Sequence, residues 1–278
     1  MNHYTGDDAH KKYSIFVTVN EKGNASSAER VPHDKDLYRK YLSTLPAGTP
    51  IAIESVGNWY WMIDAMEKAG HKPILVNPKK AKLLMGNINK TDKLDARGLA
   101  MLNLNGSLPE VWIPPAELRD QRELSRMRMS LVDVRIKFKN RIHATVAKYA
   151  ISLDEEVSDL FGKKGRMLIE EAIKELPTET RHSIEEQLAL LDQVRVQIEK
   201  VEEHIREVVK ATPTMQLIKS LPGVGDILAI VIALEIGDVK RFASAEHLAS
   251  YSGTVPRVSS SGGKTHYGRV SLSQMGLY

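Results

Sequence analysis

Two consecutive prolines, Pro114 and Pro115, divide this chain of 278 residues into parts with different periodicities, so it has to build two kinds of architecture. Before them, short β-branched and aromatic runs alternate with helical stretches. Residues 4–8, 13–20, 26–32, 51–54 and 73–76 read as strands. Residues 34–45, 58–69 and 91–103 read as helices, the last with Thr91 as N-cap and Asn105-Gly106 as its stop. Three strands in succession and then alternating helices and strands predict a mixed sheet flanked by helices. After the prolines the pattern is helical. Leu124, Met127, Leu131, Val134, Phe138, Ile142 and Val146 recur every three or four residues, as do Ile184, Leu188, Leu191, Val194, Ile198, Val201, Ile205 and Val208. This near-heptad spacing predicts an antiparallel helical pair or coiled coil, each helix spanning ~40 Å at ~1.5 Å per residue. Residues 153–180 read as a connection with short helices. Beyond Pro213, residues 227–236 and 243–250 read as helices, and the Ser- and Gly-rich residues 252–268 as loop. The fold class expected is therefore α/β plus all-α, in segments 1–112, 113–212 and 213–278.

Within the first segment, four acids stand in three separated clusters. Asp8 lies in Gly6-Asp7-Asp8-Ala9-His10, Glu54 ends Pro50-Ile51-Ala52-Ile53-Glu54, and Asp92 and Asp95 lie in Lys90-Thr91-Asp92-Lys93-Leu94-Asp95. Asp8 and Glu54 fall in or at the end of apolar strands, where a carboxylate is costly without a compensating partner. A divalent cation is a natural one, because hard cations take carboxylate oxygens. Asp92 and Asp95, three apart, share a helix face. Each acid alone is also explained as a turn residue or as a helix N-terminal acid that favours the dipole. As a set they predict a nuclease-type site, in which two cations ~4 Å apart clamp the attacking and leaving oxygens at phosphorus.

Charge points the same way. The net charge is +4, and residues 114–150 hold nine Lys or Arg against four Asp or Glu. Residues 241–278 hold four against one. Such local excess attracts phosphate backbones, and it also suits a solvated helix face. Arg126, Arg128, Lys137, Lys139 and Arg141 are the expected backbone-holding residues. In Leu221-Pro222-Gly223-Val224-Gly225, the glycine amides Gly223 and Gly225 at a helix start resemble the phosphate-binding turn of a helix-hairpin-helix. Ser259-Ser260-Ser261-Gly262-Gly263-Lys264 offers a serine that either attacks phosphorus or belongs to a solvated linker. There is no cysteine, which excludes disulfides and thiolate metal sites. No apolar run approaches the ~20 residues of a membrane span, and the N-terminus lacks a signal-peptide stretch, so a cytoplasmic protein is expected.

These stretches resemble, in order, the motifs of the DEDD-type insertion-sequence transposases, relatives of the Piv invertases. The matching runs are Tyr4 through Lys12, Ile53-Glu54-Ser55-Val56-Gly57, Lys90 through Ala96, Pro222-Gly223-Val224-Gly225, and Tyr251 through Arg257 running into Ser259 through Lys264. The resemblance implies a RuvC-like (ribonuclease H fold) domain joined through a coiled coil to a serine-bearing transposase domain. It implies that Asp8, Glu54, Asp92 and Asp95 bind Mg²⁺, that Ser261 is the nucleophile forming a phosphoserine link to DNA, and that Arg257 and Lys264 help hold nucleic acid. It further implies a homo-oligomer whose targets are chosen by a structured guide RNA encoded by the element.

The chain departs from the family pattern in two places. An apolar residue precedes the first acid of the family's tetrad, where this chain has Asp7, so Asp7 and Asp8 compete for the metal-facing position. After Gly268-Arg269-Val270-Ser271 the family continues into a basic helical region, whereas this chain ends with Leu272 through Tyr278, which reads as a truncated copy. Two further classes stay open on the residues alone: a metal-dependent structure-selective nuclease or resolvase that uses only the acids, and a non-catalytic nucleic-acid-binding remnant.

Overall fold

The computed structural model describes residues 2–86, 91–151, 153, 157 and 159–270. Residues 271–278, on which the expectation of a shortened C-terminus rests, lie outside them, as does Lys90. The chain forms two compact units, one ending at Ile113 and one beginning at Pro114.

In the first unit, β1 (His3–Ala9), β2 (Tyr13–Asn20) and β3 (Glu29–Pro32) form an antiparallel meander. The helix α1 (Lys35–Leu42) follows, started by Asp34, whose carboxylate accepts from the amides of Asp36 and Leu37. The strand β4 (Pro50–Glu54) then runs parallel to β1. Past α2 (Trp59–Lys68), β5 (Lys72–Val76) adds in parallel to β4. Two helices, α3 (Pro78–Met85) and α4 (Asp92–Leu104), precede the short antiparallel edge strand β6 (Glu110–Val111). The six-stranded order is β3-β2-β1-β4-β5-β6. A mixed sheet with helices on both faces is consistent with the RuvC-like fold that the resemblance implies.

Alternation along each strand divides the side chains between two faces. On one face, Phe16, Ile51, Ile53 and Leu75 pack with Tyr38 and Leu42 of α1 and with Met62, Ile63 and Met66 of α2. On the other, Ile15, Val17, Ala52 and Val76 pack with Ala81 of α3 and Ala96 and Leu99 of α4. Gly6 lets α4 come this close. A Cβ built there would lie 2.1 Å from the Ala96 carbonyl oxygen and 2.7 Å from the Ala100 nitrogen, both backbone atoms.

The second unit opens with α5 (Ala116–Ala147), continues through α6 (Lys163–Ala172) and returns along α7 (Thr178–Val208). Ile142 and Val146 near the end of α5 share a core with Ile184 and Leu188 near the start of α7. Leu118 and Leu124 near the start of α5 pack with Val201 and Ile205 near the end of α7, so the two helices are antiparallel. The same second cluster takes in Met215 of α8 (Pro213–Lys219) and Ile227, Ile230 and Leu234 of α9 (Asp226–Ile236). The short α10 (Ala245–Tyr251) follows.

Three sequence expectations are corrected here. Residues 252–268 are not a loop throughout: β7 (Pro256–Ser261) and β8 (Lys264–Val270) form an antiparallel hairpin. Gly262 and Gly263 both take positive φ, 58° and 77°, which a two-residue hairpin turn of this handedness demands. The strand β3 starts at Glu29 rather than Ser26, because the Ser26 side chain caps the Thr18 amide and Ser27 bonds Glu29 instead of continuing a ladder. The helix α3 was not anticipated, although Asn77 caps it, Pro78 opens it and Gly86 closes it in the left-handed region.

Candidate metal centre on the sheet face

The adjacent acids of β1 point to opposite faces. Asp7 is fully buried on the α1 side, where the Tyr38 hydroxyl donates to its Oδ2 at 2.8 Å. Burial pushes its carboxyl up to about 7, against the opposing effect of hydrogen bonds from Ser14 and Tyr38, and the charge of Asp8 adds to the rise. Burial also lifts the Tyr38 hydroxyl well above its ordinary value, with Asp7 contributing. This pair therefore forms a neutral, structural contact through most of the acid range.

Asp8 shares its face with Gly6 and looks toward the N-terminus of α4. Thr91 caps that helix by accepting from the Leu94 amide, which sets Asp92 and Asp95 in the first turn. His10, just beyond β1, lies between the strand and helix acids. Its Nε2 is 3.2 Å from Asp8 Oδ2 and 3.1 Å from Asp92 Oδ2. Ligand atoms of Asp8, His10 and Asp92 all fall within 4.8 Å of one another. Asp8 is 8% exposed, and burial raises its carboxyl to about 6. His10 opposes that rise, whereas Asp95 and Asp92 add to it through their charge. One imidazole nitrogen thus faces two carboxylate oxygens and cannot donate in line to both.

Glu54 belongs to the same face by register and alternation. Ile53 is paired with Asp7 across the parallel ladder, and Ala52, two residues before Glu54, packs against Leu99 of α4. Of the four predicted acids, Asp8 and Asp92 thus come within ligand distance of a common point, together with His10. Asp95 acts on Asp8 through its charge, and Glu54 stands on the neighbouring strand. A buried carboxylate oxygen, a second carboxylate and an imidazole nitrogen make a donor set that fits a divalent cation.

Reading the sequence missed two members of this site. His10 follows Asp8 by two residues, a spacing that returns a side chain to the same side of an extended chain. Tyr13 donates its hydroxyl to Asp92 Oδ2 at 3.1 Å, and its ring lies 4.7 Å from that of His10. Arg30 covers the same tyrosine, its guanidinium carbon 4.0 Å from the ring centre. The turn itself is held by the His10 amide bonding the Tyr13 carbonyl and by Asn58 Nδ2 donating to the His10 carbonyl at 3.2 Å.

The expected nucleic-acid residues fall into two groups. Arg126 donates to the buried carboxylate of Glu235, Nε to Oε1 at 3.0 Å, and Arg128 donates to Glu202 at 3.0 Å. Lys139 lies 4.8 Å above the Phe161 ring and 3.9 Å from Asp159. These three hold the second unit together. Lys137 and Arg141 are exposed, four residues apart on one face of α5. Gly223 has φ 84° in open space, and Gly225 is the N-cap of α9. Ser261 and Lys264 are exposed partners flanking the hairpin turn. Arg257 lies in β7.

Two family models match this chain, the first spanning the first unit and α5 of the second. A DEDD transposase model of IS110-type elements, described as "Transposase", matches residues 5–151. A second model, "Transposase IS116/IS110/IS902 family", matches residues 215–274. The transposase for insertion sequence element IS1328 of Yersinia enterocolitica is 27% identical over 258 residues, covering 91% of this chain and 74% of the relative. The transposase for insertion sequence element IS1111A of Coxiella burnetii is 26% identical over 264 residues, covering 93% of this chain and 70% of the relative.

Proposed function

This chain belongs to the IS110-type DEDD transposase family, and from that premise we propose that it cleaves and joins DNA as the recombinase of an insertion element. The observation that carries the reading is the Asp8–His10–Asp92 group on the α4 face of the sheet, inside the segment matched by the transposase model. Asp8 and Asp92, with Glu54 and Asp95 beside them, would hold the divalent cation, Mg²⁺ in this reading. Bound there, it supplies Lewis-acid stabilisation of the charge that develops on a scissile phosphate. Tyr13 orients Asp92 through its hydroxyl, and Gly6 keeps α4 close enough for strand and helix acids to act together.

Ser261 is the proposed nucleophile. Its Oγ forms a bond to phosphorus as the bond from phosphorus to the departing DNA oxygen breaks. The serine proton is released and the departing oxygen gains one. The phosphodiester becomes a phosphoserine ester, so rejoining needs no nucleotide cofactor. A serine next to two positive-φ glycines at an exposed hairpin tip suits this role, because a duplex can approach it. Lys137, Arg141, Lys264 and the turn at Gly223 and Gly225 supply backbone contacts that carry no sequence information. Target choice then falls to a guide RNA, and the working species is a homo-oligomer.

The test is trapping of a protein–DNA adduct with element-end DNA, Mg²⁺ and co-purifying RNA. The wild-type chain gives an adduct that Ser261→Ala loses while binding DNA as before. An adduct that persists in Ser261→Ala rejects the serine, and cleavage with no adduct in the wild type makes the protein a metal-dependent nuclease instead.

A further inference from the structure

We propose that His10 is a direct ligand of the divalent ion, and that its nitrogen shifts the preference of this site from Mg²⁺ toward Mn²⁺. The inference rests on the acid-site reading above and adds to it a residue and a metal selectivity. It starts from geometry. His10 Nε2 is 3.1–3.2 Å from one oxygen of each of two carboxylates. Neighbouring ligands around an octahedral ion with bonds of ~2.1 Å are separated by about 3.0 Å. His10 Nε2 is therefore spaced from each oxygen as adjacent ligands of one ion are, and ligand atoms of the three residues lie within 4.8 Å of one another.

The second observation is that one imidazole nitrogen faces two carboxylates. A single N–H cannot donate in line to Asp8 Oδ2 at 3.2 Å and to Asp92 Oδ2 at 3.1 Å at once. Asp8 is 8% exposed, so water does not readily make up the shortfall. The carboxylate lone pairs left over are available to a cation. The imidazole is also held in place. Its ring rests on Tyr13, which is covered by Arg30 and bonded to Asp92, and its carbonyl is held by Asn58.

The chemistry of the donor set gives the selectivity. Mg²⁺ favours oxygen ligands and keeps its waters, whereas imidazole suits transition ions. A site with two carboxylate oxygens and one imidazole nitrogen favours Mn²⁺ over Mg²⁺ more strongly than one built of acids alone.

The experiment titrates Mn²⁺ and Mg²⁺ into the full-length chain and records pulsed EPR of the Mn²⁺-loaded protein. The expected result is modulation from a directly bound imidazole nitrogen that disappears in His10→Gln. His10→Gln should also weaken Mn²⁺ binding by at least the ~10-fold that loss of an outer-shell partner produces, with a smaller effect on Mg²⁺. His10→Ala repeats the measurement, and circular dichroism confirms that both variants are folded. Nitrogen modulation that is absent in the wild type, or unchanged in His10→Gln, overturns the assignment of His10 while leaving the acids in place if Asp8→Asn still abolishes binding. Mn²⁺ binding that survives Asp8→Asn with Asp92→Asn overturns the acid site together with it.

Discussion

Asp7→Asn separates the two acids of β1 by their energetics. Asp7 carries its proton up to about pH 7 in the folded chain, against an ordinary value of 3.8. Between those values the unfolded chain has released the proton and the folded chain keeps it, so stability falls as pH rises through this window and levels off above 7. From pH 5 to pH 8 the window spans about two pKa units, or roughly 3 kcal/mol at ~1.36 kcal/mol per unit. Asparagine keeps an acceptor for the Tyr38 hydroxyl and has no proton to lose. The variant should therefore gain about 3 kcal/mol relative to wild type on going from pH 5 to pH 8. Comparing the two proteins at each pH cancels the other titrating groups. Urea unfolding followed by tryptophan fluorescence is the assay. All three tryptophans, Trp59, Trp61 and Trp112, lie in the first unit, and Trp61 stands edge-on to Tyr38 at 4.8 Å. A stability difference that stays constant between pH 5 and pH 8 refutes a neutral, buried Asp7. Asp7→Asn should also bind Mn²⁺ as wild type does, and loss of that binding would return Asp7 to the metal-facing position.

Gly6→Ala should destabilise the first unit by about 3 kcal/mol, the upper end for overpacking, because the new Cβ meets backbone rather than a movable side chain. It should also weaken Mn²⁺ binding as α4 retreats with Asp92; urea unfolding and Mn²⁺ titration that match wild type would show that the close approach is dispensable. Arg126→Ala should destabilise the second unit by roughly 2–3 kcal/mol, since Glu235 stays buried with Arg122 still beside it. Lys137→Glu with Arg141→Glu should instead leave stability near wild type and reduce the salt dependence of DNA binding by about two phosphate contacts, read as the slope of log affinity against log salt. An unchanged slope places the binding face elsewhere.

Much of the first unit was legible because its signals are local. Short β-branched, aromatic and apolar runs mark β1, β2, β4 and β5, and the Thr91 cap marks the start of α4 and so places Asp92 and Asp95 in one turn. The choice between Asp7 and Asp8 was not legible from composition, since both are acids in the same strand. It follows from parity with Gly6, whose missing side chain marks the face where α4 comes closest. His10 shares that parity, but an imidazole two residues past an acid carries no signal of its own in the sequence. The hairpin at residues 256–270 was hidden by its serines and glycines, which look like linker. Gly262-Gly263 flanked by Val258 and Thr265 is nonetheless a turn between strands.

The arginines of α5 show what spacing along one helix does not reveal. Arg126 and Arg128 look like an exposed basic stripe with Lys137 and Arg141, but their partners Glu235 and Glu202 lie 109 and 74 residues away. A side chain's availability to phosphate depends on whether the fold returns a carboxylate to it, which is a non-local fact. Glu235 sits near the end of the apolar α9, where a lone carboxylate would be costly, and an acid in such a helix implies a cation from elsewhere in the chain. A buried carboxylate therefore needs compensating charge in both units, and each meets that need differently. In α9 the chain supplies the positive charge from its own arginines. At Asp8 the chain supplies one imidazole, which lies equally close to Asp92, so the compensation is incomplete and the group is suited to take up an ion.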